Sequence, residues 1–328
     1  MEHGSEKGGN MFNFLERWKA EWDNNSIMPS NKLTPEKNEG EQITYPYPVR
    51  KLRLNDEIEL AYIDEGDPSL ETLVLVHGMA SAIPVWRKNI RDLKRHYRCV
   101  ALDLPGHGYS SKGNFPYTME FFAEVLVAFI KRLGLQRVYL SGHSMGSQIA
   151  CIAALKQPEL ISRLILASPS GFEPYRAADK QLLIATAASA MGMGQAFTQH
   201  KLNYLMGFCN NYEEAGELAK RIPIYKQDAA QFGRMMLKCI EGMLLEALVD
   251  VMSNIRQPSL IILGSDDIVS PYQYIHGKKY VDTVRMEASK IRHNKVVIFN
   301  PCGHFVQYQR PKLFNKEVMN FLPINNPI

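Results

Sequence analysis

A chain of 328 residues, 45% hydrophobic and 22% charged, is long enough for one large α/β domain with an insertion or for two ordinary domains. Its formal net charge of +4 is small and spread along the chain, which excludes a nucleic-acid binder built on a clustered basic face. Five cysteines (Cys99, Cys151, Cys209, Cys239 and Cys302) are odd in number, widely spaced and without a C-x-x-C pair. Neither a disulfide framework nor a zinc site is expected, and a reducing, cytoplasmic location is.

Residues 1 to about 10 read as a polar tail with no secretory pattern, since the apolar stretch that follows carries Glu16, Arg17, Lys19 and Glu21. Met11 to Trp22 reads as an amphipathic helix with Met11, Phe14, Leu15, Trp18 and Trp22 on one face. Docking on the protein's own surface is the plainer role for it; peripheral membrane contact through residues 11–22 is the alternative. Asn24 to Gln42 is polar, holds two prolines and reads as a linker. No run of about 18 or more uninterrupted apolar residues occurs, so no transmembrane helix is expected.

From about residue 44 strands and helices alternate. Val49–Leu54 and Ile58–Ile63 predict a hairpin turning at Asn55-Asp56. Thr72–Val76 is a continuous apolar run, as expected of a strand buried on both faces, and Cys99–Leu102, Arg137–Leu140, Arg163–Ala167, Ser259–Leu263 and Lys295–Phe299 repeat that character. Helical patterns fall between them, at about Val85–Leu93, Thr118–Leu133, Ser147–Lys156 and Lys312–Phe321. Such a series predicts a mainly parallel, twisted sheet flanked by helices. The alternation breaks between about Phe172 and Gln257, a segment that reads as helices only. Seven methionines lie there: Met191, Met193, Met206, Met235, Met236, Met243 and Met252. They suit either an adaptable apolar wall for substrate or ordinary helix core.

Gly142-His143-Ser144-Met145-Gly146 follows an apolar β-like run and precedes a helical one. This G-x-S-x-G pattern asks a strand to turn into a helix so sharply that the serine backbone is strained, with small residues letting neighbouring backbone pass. The serine oxygen then stands clear of the sheet at a helix N-terminus, where free N–H groups favour developing negative charge. A serine hydroxyl needs a base in hydrogen-bond reach, and the base needs an acid to orient it. His304, closing the loop Asn300-Pro301-Cys302-Gly303-His304 after the last strand, is the candidate base, and is expected to be exposed. Asp267, in Gly264-Ser265-Asp266-Asp267 after another strand, is the candidate acid; Asp266 competes and otherwise reads as a turn residue. Backbone N–H groups of Met145 and of Met79, in the loop His77-Gly78-Met79, are the candidate oxyanion donors. Asp103-Leu104-Pro105-Gly106-His107-Gly108-Tyr109-Ser110 lacks the lysine and spacing of a phosphate loop and reads as structural, with His107 and Ser110 fixing it.

On these residues the chain resembles the α/β-hydrolase superfamily over about residues 48 to 323. The resemblance rests on His77-Gly78, Trp86, the Asp103–Ser110 run, Gly142–Gly146, Gly264 with Asp267 and Pro271, and Gly303-His304-Phe305. It implies the α/β-hydrolase fold, a catalytic set of Ser144, Asp267 and His304, and an inserted helical cap. The chain then divides into an N-terminal tail, helix and linker (1–45), a core (46–171 and 258–328) and a cap (172–257). Serine at 144 separates it from relatives with aspartate there, the epoxide hydrolases and haloalkane dehalogenases. The loop at His77 lacks the H-G-G-P-G run of proline iminopeptidases. Gly142-His143-Ser144 looks more like the esterase and lipase branches than the C–C bond hydrolases, which often have asparagine at the place of His143. Ser147 departs from the second glycine of many relatives; its hydroxyl is expected to tighten the elbow helix.

The expected activity is hydrolysis of a carboxylic ester with a small to medium apolar acyl group, without cofactor or metal. A β-diketone-like C–C bond hydrolase, a non-catalytic receptor on the same fold, and an acyl transferase to alcohols are the alternatives.

Overall fold

A computed structural model describes residues 45–192 and 229–323. The amphipathic segment Met11 to Trp22, the linker, Cys209, and the side chains of Met191, Met193 and Met206 lie outside the described residues.

Eight strands form one sheet: β1 (Arg50–Arg53), β2 (Glu59–Glu65), β3 (Thr72–Val76), β4 (Arg98–Leu102), β5 (Val138–His143), β6 (Ile161–Ala167), β7 (Ser259–Gly264) and β8 (Asn294–Phe299). Their spatial order is β1-β2-β4-β3-β5-β6-β7-β8. The β1–β2 hairpin joins antiparallel, and β3 to β8 run parallel. The hairpin is set locally. The Asn55 side chain accepts the N–H groups of Glu57 at 3.0 Å and Ile58 at 2.7 Å, and so closes the turn that the sequence placed there. The central strands are apolar throughout because both faces are covered. Leu73, Val74, Leu75 and Val76 of β3 are all fully buried.

The described helices are α1 (Arg87–Leu93, preceded by a 3-10 turn at Ile83–Trp86), α2 (Met119–Arg132), α3 (Met145–Lys156), α4 (Ala177–Gly192), α5 (Ala229–Leu245), α6 (Tyr272–His276), α7 (Tyr280–Ala288), α8 (Val306–Gln309) and α9 (Pro311–Phe321); α4 and α5, between β6 and β7, pack on each other. The ends of α2 are chemical. Thr118 is its N-cap, accepting the Phe121 N–H at 3.0 Å, and Lys131 and Arg132 lie in its last turn where the helix dipole favours cations. Trp86, fully buried, packs on Phe314 of α9 at 6.0 Å between ring centroids and ties the first helical layer to the last.

Three short helices, α6 to α8, were not foreseen. Two are too short for an apolar period to develop, and α7 buries Thr283 and Glu287 while exposing Met286, which blurs its period. Helix α3 begins at Met145, two residues before the apolar pattern starts, because the turn after Ser144 is itself its first turn. Between β6 and β7 the described residues contain helices and no strand. Met235, Met236 and Met252 there are buried core residues, while Met243 is half-buried. The four described cysteines are buried and none is in a disulfide with another. Among the described residues no helix is long and apolar enough to cross a membrane.

The topology decides where a site can form. After β3 the chain crosses to β4 on one side and then to β5 on the other, so strand order reverses between β3 and β5. At such a switch point the loops leaving two adjacent strands diverge and open a crevice beyond their C-terminal ends. The loops leaving β3 and β5 begin at His77 and Ser144.

Candidate active site

Ser144 sits where β5 becomes α3, with φ 53° and ψ −119°. A β-carbon in that region costs roughly 1–3 kcal/mol and persists only where the surroundings over-determine it. Here they do. The Ser144 N–H donates to Ala167 O at 2.9 Å on β6, and its carbonyl accepts the N–H of Ser147 at 2.9 Å. A side chain at Gly142 would meet Gly146 O at 2.3 Å, and one at Gly146 would meet the carbonyl oxygens of Val76 and His77 at 2.5 Å. Both glycines are therefore required by backbone approach. Ser147 tightens the elbow as expected, donating its hydroxyl to Gly142 O at 2.7 Å.

The β3 loop lies against the elbow. A β-carbon placed on Gly78 would stand 3.1 Å from Ser144 Cβ. His77 shapes this loop: Nδ1–H donates to Gly78 O at 2.7 Å, and Nε2 accepts the Leu104 N–H at 3.0 Å. Burial holds the His77 ring neutral, which that acceptor role requires. Asp103, fully buried, pins the neighbouring loops by accepting the N–H groups of Ile83 and Tyr109, each at 2.8 Å. Ser110 donates to Asp103 O at 2.6 Å and accepts the Ala61 N–H at 2.9 Å. His107 donates Nδ1–H to Pro105 O at 3.1 Å. The run is structural as read, with Asp103 as the organiser that its sequence did not single out.

Asp267 and His304 meet. Their Oδ2 and Nδ1 atoms are 2.8 Å apart, and the other Asp267 oxygen accepts the Val269 N–H at 3.1 Å. Asp266 is exposed, whereas Asp267 is 3% exposed. Burial therefore decides between the two aspartates. His304 is 7% exposed, a correction to the expectation of an exposed ring. Phe305 lies edge-on to it at 5.6 Å and His143 packs beside it at 4.8 Å. His143 also reaches across with Nε2–H to His304 O at 3.1 Å, which fastens the histidine loop beside the elbow. Burial and the neighbouring His304 keep the His143 ring neutral. Asp267 and His304 thus meet beyond the C-terminal ends of β7 and β8, and the Gly78 loop after β3 lies against Ser144 at the end of β5. Met145 N–H lies at the start of α3, where backbone donors are free of intrahelical partners. Among the described residues no group of three or more His, Cys, Asp or Glu is placed to hold a metal ion.

These observations are matched by comparison with known proteins: the alpha/beta hydrolase fold family fits residues 71–311. The chain belongs to the α/β-hydrolase fold family. This α/β-hydrolase is 26% identical to an uncharacterized hydrolase, YugF, of Bacillus subtilis over 84% of its own length and 98% of that protein. It is 26% identical to an (E)-2-((N-methylformamido)methylene)succinate hydrolase of Acinetobacter baylyi, covering 83% and 97% of the two chains. A 2-hydroxy-6-oxononadienedioate/2-hydroxy-6-oxononatrienedioate hydrolase of Burkholderia vietnamiensis is 25% identical, over 81% of this chain and 91% of that one.

A second carboxyl of the α/β-hydrolase, which no sequence pattern singles out, lies near Asp267. Glu173, 6% exposed, accepts the Ser270 hydroxyl at 2.6 Å, and the Tyr175 and Ser270 hydroxyls are 3.3 Å apart. Desolvation raises its pKa above the ordinary 4.5, Asp267 adds to the rise, and the Ser270 hydrogen bond offsets part of it. The folded protein therefore binds this proton more tightly than the unfolded chain. The stability it contributes is full below the ordinary value and is lost as pH rises through the folded one. In urea melts at pH 4 and pH 7, the difference in unfolding free energy between wild type and Glu173→Gln is expected to move in favour of wild type at pH 4. Parallel behaviour at the two pH values would show that the carboxyl is not raised.

Proposed function

We propose that the protein is a serine hydrolase that cleaves carboxylic esters of small to medium apolar acyl groups through an acyl-enzyme. The observation that carries this reading is the 2.8 Å His304–Asp267 hydrogen bond, made beside a serine held at φ 53° at the head of a helix. With Nδ1–H committed to the carboxylate, the Nε2 lone pair of His304 remains to take the Ser144 proton as Oγ attacks the carbonyl. Asp267 orients the ring and stabilises the imidazolium. The N–H groups of Met79 and Met145 receive the oxyanion. His304 then returns the proton to the leaving alcohol, and water activated by the same histidine releases the acid.

A second reading, C–C bond hydrolysis of a β-diketone-like substrate by the same residues, is favoured by the 25% identity to the 2-hydroxy-6-oxononadienedioate hydrolase. His143 favours the ester reading.

The test is hydrolysis of p-nitrophenyl esters of increasing acyl length, with a vinylogous β-diketone acid assayed alongside. Turnover that peaks at a short or medium acyl chain supports the ester reading. Turnover of the diketone alone transfers the assignment to C–C cleavage. No turnover of either, with no fluorophosphonate labelling of Ser144, removes both readings in favour of a non-catalytic hydrolase-fold protein.

A further inference from the structure

The segment between β6 and β7 leaves the sheet and returns to it at one spot, and one side chain occupies that spot. Gln148 lies one turn along α3 from Ser144 and is fully buried. Its amide nitrogen donates to Met243 O at 3.2 Å and to Glu246 O at 2.8 Å, where α5 ends and the chain heads back to the sheet. Its amide oxygen accepts the Ser170 hydroxyl at 2.8 Å, where the chain departs. Two carbonyls on one side and a hydroxyl on the other admit a single orientation of the amide.

The surrounding contacts bind the same two ends together. Leu248 N–H donates to Gly171 O at 2.8 Å, and Ser170 N–H donates to the carbonyl of Ser144 itself at 3.3 Å. Gly171 has φ +80°, and a side chain there would meet the Gln148 amide carbon at 2.6 Å, so the glycine makes room for the glutamine. The Glu246 carboxylate accepts the N–H groups of Met119 at 3.3 Å and Glu120 at 2.7 Å, anchoring the return on the N-terminus of α2. Among the described residues, the hydrogen bonds of this side chain all go to the departing or returning end of the insertion.

We propose that Gln148 is a positioning residue that sets where the inserted helices stand relative to Ser144 and thereby which acyl groups reach it. The acyl-selection half rests on the serine hydrolase reading; the mechanical half does not. Gln148→Met keeps the length and bulk of the side chain and removes all three hydrogen bonds. Hydrogen exchange of the Glu246 and Leu248 amides, bonded to Gly242 O at 3.0 Å and Gly171 O at 2.8 Å, reads the mechanical half directly. Exchange at both is expected to speed up about tenfold or more relative to wild type. The ratio of kcat/KM between the longest and shortest esters accepted is expected to change at least about fivefold, with the change carried by KM. Ser170→Ala, which removes one bond at the departing end, is expected to shift both readouts in the same direction by less. Exchange and ester ratios equal to wild type in Gln148→Met would overturn the proposal. So would a Gln148→Met that fails to fold beside a Ser170→Ala with wild-type exchange, since Gln148 would then be core packing alone. If the wild type neither hydrolyses esters nor labels at Ser144, the hydrolase reading and acyl selection fall together, while the exchange result still decides the clamp.

Discussion

Ser144→Ala is expected to lower kcat/KM on any ester the protein hydrolyses by a factor on the order of 10³ to 10⁶, with no loss of thermal stability. The first half follows from chemistry: alanine leaves His304 with no hydroxyl to deprotonate, and only binding and the oxyanion donors remain. The second half follows from the local structure. Ser144 makes no side-chain cap hydrogen bond at the start of α3, and the contacts that hold its strained backbone are main-chain ones to Ala167 and Ser147. Alanine keeps all of those. Steady-state assays beside calorimetry and fluorophosphonate labelling check both halves. Retained activity on a substrate that the wild type turns over would sink the nucleophile assignment, and a large drop in melting temperature would show that the hydroxyl has a structural partner.

Gly264→Ala is expected to destabilise the protein by about 3 kcal/mol and to reduce kcat at least about a hundredfold. A β-carbon there would stand 2.2 Å from Gly303 O and 2.4 Å from Cys302 O. Both are backbone atoms, so no rotamer change relieves the clash. The neighbouring contacts resist displacement: Gly264 pairs with Phe299 in the sheet, Ser265 N–H donates to Phe299 O at 2.9 Å, and Asp266 N–H donates to Cys302 O at 2.8 Å. The loop bearing His304 must move away from the loop bearing Asp267, and their hydrogen bond lengthens. Gly233→Ala is the matched control. That glycine lies inside α5 with nothing among the described residues within 4 Å of its missing side chain, so alanine there should stabilise by roughly 0.5–1 kcal/mol. Denaturant melts of the two variants, with kcat measured on the p-nitrophenyl series, test the contrast. A Gly264→Ala as stable and active as Gly233→Ala would mean that the two loops yield independently.

The same two loops show how far the sequence reaches. Thr72–Val76 was legible to the residue because a strand buried on both faces leaves an unbroken apolar run. The elbow was legible because its chemistry is local: strand, two glycines, serine and helix lie within a short stretch of chain. Asp267 and His304 were legible by position after β7 and β8, and the fold brings them together. Helix α7 escaped because Thr283 and Glu287 lie on its buried side while Met286 is exposed, which blurs its apolar period, and α6 and α8 because they are too short to show a period.

By itself, then, the sequence determined the sheet, the elbow and the candidate nucleophile and base, and narrowed the candidate acid to the Asp266-Asp267 pair, since each is encoded by neighbours a few residues apart. Only the tertiary structure decided that Asp267 is the buried member of its pair, that His304 is enclosed by His143 and Phe305, that Glu173 shares the acid's surroundings, and that Gln148 joins the ends of the insertion to the serine. Burial and hydrogen-bond partnership are properties of two segments at once. Glu173 is separated from Ser270, and Gln148 from Glu246, by most of the inserted helices. No local pattern at either residue records what the fold will place against it.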